Sequence, residues 1–340
     1  MAVSAQVWAK RLAPFRQGND LRSGIELFIT LLAFVACWSA AYWFFTTNVW
    51  LSALFMLPAA GFVVRIFMLQ HDCGHNSLFK SRFFNDWIGR SLGVLTMTPY
   101  DYWRHAHAMH HAGSGNLDRR GMGDITTLTV DEYMQLDLFG RVKYRLYRNP
   151  IVMFIIGPIY IFMLQQRLPF DSFRQGRASW MSVLLTDLGL LLAFGLGCYF
   201  LGAWQFLVVH LTIVFLGAAA GIWLFYVQHQ FDETEWKRGP EWNHDEAALA
   251  GSSYYDLPQP FRWFSGNIGM HHLHHLSSRI PFYRLPEVMR AYPELADMGR
   301  ITFWQSFKCV KLVLWDEANE RLVSFREAMR PAVQHMVPAE

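Results

Sequence analysis

Fourteen histidines occur in the 340 residues, and nine of them are spaced as metal ligands are spaced. His71 and His75 are four apart. His107, His110 and His111 form H-x-x-H-H, and His271, His274 and His275 repeat that pattern. On a helix, positions i, i+3 and i+4 share a face, so each set can aim two or three imidazoles at one point. His229, at the end of a long apolar run, adds a ninth. A structural zinc site closes with four ligands and usually includes cysteine. Nine imidazoles exceed that, and two ions with four or five imidazoles each are expected instead. Imidazole suits iron, copper, nickel and zinc alike, so ligand type leaves the metal open. His105 and His272 sit beside the sets but off the shared face. His210 lies inside an apolar run, and His244 and His335 read as exposed. These five are expected outside the ligand shell. Ligating imidazoles need partners on the other ring nitrogen. Asp72, Asp232 and Glu233 are the candidates, and Asn267, four residues before His271, is a candidate to hold a metal-bound water.

The elements that must carry these residues are apolar. No Asp, Glu, Lys or Arg occurs from Leu27 to Val64 or from Leu188 to Phe231. A membrane helix needs about 20 apolar residues. Each run is therefore read as a hairpin of two spans, broken at Thr46-Thr47-Asn48 and at Gly202-Ala203-Trp204-Gln205. The expected spans are 26–47, 49–70, 183–201 and 205–228. The fold class is all-α integral membrane: four transmembrane helices in two hairpins, with a helical cap (71–182 and 229–340) carrying the histidine sets. Lys and Arg avoid both hairpin turns. By the positive-inside rule the cap and both termini are cytoplasmic, and all nine histidines then fall on that side. Arg65 is expected to snorkel to the interface, and beyond it the spans are read as holding little that titrates except His210. The N-terminus is polar up to Ile25, so no cleavable signal peptide is read. Trp87–Pro99 and Asn149–Gln166 are too short to span and read as interfacial or half-inserted helices. Residues 112–148 read as a solvated loop leading to a short helix, and 301–329 as an amphipathic helix. The four cysteines suggest no disulfide framework or cysteine metal motif. A net charge of +3 is too small for a nucleic-acid partner.

At this point the residues match a family. His71-Asp72-Cys73-Gly74-His75-Asn76-Ser77 resembles the first histidine box of the membrane fatty acid desaturases. Trp103-Arg104-His105-Ala106-His107-Ala108-Met109-His110-His111 resembles the second, and His271-His272-Leu273-His274-His275-Leu276 the third. Gln228-His229 resembles the extra histidine after the last span. The likeness covers about residues 25–290 and is nearest to the acyl-lipid Δ12, or ω6, type. It implies a single desaturase domain over 1–340, in a bacterial cytoplasmic membrane. It implies a di-iron centre on His71, His75, His107, His110, His111, His229, His271, His274 and His275, with O2 as co-substrate. One departure stands out. Some members carry Asn four residues before the extra histidine, and here Phe225 stands there.

An unactivated C–H bond has no acidic proton for a general base, so its cleavage needs an oxidising metal centre. The chain must also hold a lipid acyl segment and exclude water. Tyr100, Tyr102, Trp103, Trp223, Phe225 and Trp263 are the expected tunnel aromatics. No fused haem domain and no C-x4-C-x2-C pattern is present. Electrons must then come from an external, ferredoxin-like donor. Arg119, Arg120, Lys143, Arg145, Arg148, Lys237 and Arg238 are candidates for a cationic docking face. Two other readings compete. An alkane or carotenoid hydroxylase or ketolase of the same superfamily would add sixteen mass units rather than remove two. A metal or haem transporter would need titratable groups along its spans.

Overall fold

The computed structural model describes residues 5–121, 123–168 and 176–330. A short helix α1 (Ala5–Leu12) precedes the first hairpin, α2 (Asp20–Phe44) and α3 (Val49–Gly74). Asn48 separates the two: its side-chain oxygen accepts from the N–H groups of Trp50 and Leu51 and caps α3. Two cap helices follow, α4 (Arg82–Leu95) and α5 (Tyr100–Gly113), then the short α6 (Val130–Gln135) and α7 (Leu138–Tyr147). Val152–Gln165 winds in wide π-type turns around α8 (Gly157–Tyr160) and bends 60° from α7. The second hairpin is α9 (Arg177–Leu201) and α10 (Ala203–His229). Gly202, at φ 80°, makes the turn in a conformation that favours glycine. Beyond it come α11 (His244–Ala250), α12 (Phe261–Phe264) and α13 (His271–Leu276).

Four helices, α2, α3, α9 and α10, are long and apolar enough to cross a membrane. The protein is mostly helical, as expected; α2 and α9 begin six residues before their predicted spans, α2 ends three residues early, and α3 runs four residues past its span. α3 is central, with α2 on one side and α10 on the other. Gly217 of α10 permits the close approach: a Cβ there would lie 2.9 Å from Val63 Cβ and 3.1 Å from the Ala60 carbonyl oxygen. α9 is outermost, with Leu191, Leu192, Leu196, Tyr199 and Phe200 exposed where lipid tails belong. α4 turns Phe83, Phe84 and Trp87 outward, as an interfacial helix does.

Three expectations are corrected. Arg65 does not snorkel. It is 1% exposed and pairs with Glu26 at 2.5 Å. It also donates to Thr30 Oγ1 and the Trp263 carbonyl, with its guanidinium 4.0 Å from the Trp263 ring. A charge at membrane depth is held where a counter-charge meets it, and Glu26 supplies that from the neighbouring helix. The spans also carry Asp187, inside α9, which pairs with Arg167 at 2.6 Å. Residues 301–329 form no long helix. Strands β1 (Leu314–Asp316) and β2 (Arg321–Val323) pair antiparallel, with Trp315 opposite Leu322. Asp316 turns the chain by accepting from the N–H groups of Ala318 and Asn319. The short segment Leu128–Thr129 adds in parallel to the strand Leu314–Asp316, and Tyr254–Asp256 pairs parallel with Arg300–Thr302.

Candidate metal centre

The helix ends bring the nine histidines together. His71 sits in the last turn of α3 and His75 caps it. α5 carries the second set, α10 ends on His229, and the six residues of α13 include the third set. The side chains fall into two groups. His71, His75, His107, His111 and His274 form one, and His110, His229, His271 and His275 the other. Within each group the ligand nitrogens lie within 4.8 Å of one another. The H-x-x-H-H spacing therefore serves both groups at once. On α5 the i, i+4 pair His107 and His111 enters the five-histidine group, and His110 crosses to the other. On α13 the roles reverse, with His271 and His275 in the four-histidine group and His274 crossing. The two groups touch where the His111 and His275 rings stack at 4.2 Å.

The protonation pattern asks for a cation. His71 Nδ1 faces Asp72 Oδ1 at 3.3 Å, His110 Nδ1 faces Asp124 Oδ1, and His229 Nδ1 faces the Gly251 carbonyl at 3.3 Å. These oxygens accept, so Nδ1 carries the proton and Nε2 presents a lone pair. Seven Nε2–Nε2 pairs stand 2.9–3.3 Å apart, and three of them include one of these imidazoles. Converging lone pairs repel unless a positive ion lies between them. Imidazole nitrogens about 2.1 Å from an ion stand roughly 3.0 Å apart at right angles and roughly 3.4 Å apart in a tetrahedron. Both spacings fall between these contacts and the 4.8 Å that bounds each group, so each group could seat an ion. Burial, with the neighbouring imidazoles adding to it, holds His75, His107, His111, His271, His274 and His275 well below the usual histidine pKa. Neutral imidazole is the ligating form.

A family model for fatty acid desaturases matches residues 48–307, which include every one of these histidines. The chain belongs to the fatty acid desaturase family. A fatty acid desaturase of Bacillus subtilis is 40% identical over 328 residues, covering 96% of this chain and 91% of the relative. An sn-1 acyl-lipid omega-3 desaturase (ferredoxin) of Synechocystis sp. is 30% identical, over 79% of this chain and 75% of the relative. An sn-1 oleoyl-lipid 12-desaturase of Picosynechococcus sp. is 26% identical, over 78% and 75%. The protein is an oxidoreductase of lipid metabolism, embedded in a membrane by four apolar helices.

Other residues of the desaturase fall where the sequence reading put them only in part. Asp72 bridges His71 and the Phe282 N–H, 2.7 Å away. Asp232 and Glu233 are exposed. The partner of His110 is instead Asp124, which no local spacing announces. Gly123, at φ 77°, brings that loop against α5: a Cβ there would lie 2.8 Å from the Ala106 carbonyl oxygen. Asn267 turns the chain at φ 58° and donates to the Phe282 carbonyl. His105 and His244 are exposed. His272 donates to the Leu295 carbonyl at 3.0 Å, and His210 stacks on Phe206 inside its span. His335 lies outside the described residues.

Of the tunnel aromatics, two touch the histidines. Trp103 stacks on His107 at 4.7 Å and 17°, and Phe225 lies 5.1 Å from both His110 and His229. Trp103 also lines a cavity of about 410 Å³ that reaches His75 and His107 between α5 and the start of α9. Tyr100 is buried with its hydroxyl toward Asp86, Trp223 packs on Phe154, and Trp263 covers Arg65. Tyr102 is half-buried on α5. The cationic docking face is largely neutralised. Arg120 pairs with Glu132, Arg238 with Asp118 and Glu317, and Lys237 with Glu235. Arg145 donates to the Tyr133 hydroxyl, and Arg148 is buried. Arg119 and Lys143 stay exposed. Loops that fold on one another bring acids to the bases, which a linear count of cations does not register.

Proposed function

We infer that the desaturase inserts a cis double bond into an acyl chain of a membrane lipid, with O2 as oxidant and reduced to water. The observation that carries this reading is the pair of histidine groups whose ring nitrogens converge. His71, His75, His107, His111 and His274 would hold one iron, and His110, His229, His271 and His275 the other. Two irons held there would supply, with O2 and two external electrons, the oxidising power that an unactivated C–H bond requires. The protein's own part is to position and to exclude. Asp72 and Asp124 keep protons on His71 Nδ1 and His110 Nδ1, and so fix the ring orientations. Trp103 and Phe225 wall the two groups with aromatic surface and keep water from them. The cavity beside Trp103 is the acyl chain's way in, between two elements at the end of the membrane spans.

In this reading residues 1–340 act as a single domain in a bacterial cytoplasmic membrane, with both termini and all nine ligands on the cytoplasmic side. A ferredoxin-like protein is the electron donor, by analogy with the Synechocystis relative whose name specifies ferredoxin. Expression in a host lacking polyunsaturated lipids, followed by fatty acid profiling, tests the reaction. A new lipid fatty acid lighter by two mass units is expected. A product heavier by sixteen means oxygen insertion and overturns the reading.

A further inference from the structure

Arg148 is an anomaly of charge. It caps α7, is 2% exposed, and makes no ion pair among the described residues. Nη1 donates to the Thr126 carbonyl and Thr127 Oγ1 at 3.1 and 3.2 Å. Nη2 donates to the Tyr226 hydroxyl, Gln230 Oε1 and the Leu312 carbonyl at 3.4, 2.9 and 2.9 Å. All five acceptors are neutral, and Nε finds none. Guanidinium does not deprotonate in proteins, so a full positive charge is buried without a counter-ion. Buried charges are ordinarily paired, because desolvation is costly.

Its five acceptors indicate what the charge faces. Tyr226 and Gln230 flank His229 at the end of α10. Thr126 and Thr127 follow Asp124, whose carboxylate holds His110. Gln230 Nε2 also donates to Thr127 Oγ1 at 3.0 Å, closing the link between the two segments. One side chain thus ties together the supports of two of the four histidines in the smaller group. The five-histidine group has no such contact with Arg148 among the described residues.

We propose that Arg148 is a positioning residue for the four-histidine metal site alone, and that its uncompensated charge holds that site's reduction potential higher than it would be without it. This rests on the two-metal reading given above. The physical reason is Coulombic: oxidation adds positive charge, and a fixed cation in a poorly screened interior opposes it. The fork geometry supplies the second effect, because lysine carries the charge but cannot reach five acceptors at once.

The test uses full-length enzyme in detergent, loaded with 57Fe, as wild type, Arg148→Lys, Arg148→Gln and His229→Ala. Mössbauer spectra identify the four-histidine iron as the component that His229→Ala removes, and redox titration gives its midpoint. In Arg148→Gln that iron should be lost to a chelator at least tenfold faster and titrate at a lower potential, with the other iron unchanged. Arg148→Lys should recover the potential but not the retention. Wild-type behaviour of Arg148→Gln in both respects overturns the proposal, as does an equal fall in potential in the Lys and Gln variants. If Arg148→Gln does not fold, Arg148→Lys decides: retention equal to wild type, or a lowered potential, overturns it. A wild-type protein without two irons refutes the two-metal reading instead.

Discussion

Asp72 adjoins the imidazole it faces, whereas Asp124 reaches His110 from 14 residues away. Eight of the nine clustered histidines were legible from i, i+3 and i+4 spacing, which a helix converts directly into a shared face, and His229 from the end of its apolar run. Their division into five and four was not legible, because it depends on how α5 and α13 meet across more than 160 residues. Asp72 was found because it adjoins His71. Asp124 was missed because only the turn at Gly123 carries it to His110. Replacing a partner on a ligand's other nitrogen typically costs about 10–100-fold in metal affinity or activity. Asp124→Asn should therefore weaken iron retention by about that factor while the protein still inserts, and chelator-release kinetics measure it. His272, between His271 and His274, gives a prediction for stability against pH. Burial lowers its pKa from 6.5 to about 4, with the Leu295 and Ser253 backbone contacts opposing. The folded form keeps it neutral while the unfolded chain binds a proton below pH 6.5. Stability is therefore full above about pH 6.5 and falls as pH drops toward about 4. Its share is at most about 1.4 kcal/mol per pH unit. Melting in detergent should fall through that window less steeply in His272→Asn than in wild type.

At the scale of elements, the charge-free runs located the four long helices, with ends displaced by up to six residues, since length and apolarity are what a bilayer selects. Arg65 shows what such a rule leaves out. A cation near a span's end reads as snorkelling until the neighbouring helix is known to present Glu26. Removing one partner of a buried pair costs about 3–5 kcal/mol, whereas replacing both by apolar groups is often neutral. Arg65→Met alone should lower the melting temperature and yield sharply, and Arg65→Met with Glu26→Leu should restore most of both. An equal loss in the single and double variants would mean that the pair does not hold α2 against α3. The segment 301–329 was misread for a related reason. Its apolar residues fall at near-helical intervals, but Trp315 and Leu322 are cross-strand partners, and Asp316 makes the intervening residues a turn.

For the whole molecule, the two-iron reading binds the membrane to the chemistry: nine histidines must meet at one face, since histidines on opposite faces would stand about 30 Å apart. In a variant without native cysteines, an impermeant thiol reagent on intact cells should label Asn48→Cys and Ala203→Cys. Arg120→Cys and Lys237→Cys should stay unlabelled. Labelling at 120 and not at 48 would invert the orientation. Labelling at 120 and not at 237 would separate the second histidine set from the third. The division of the histidines into two metal sites is tested most directly by counting metal per chain. Purified, active wild type should hold two irons, and His229→Ala should hold one, with its five-histidine group intact. A single iron in active wild type, or stoichiometric zinc in its place, would contradict the two-iron centre.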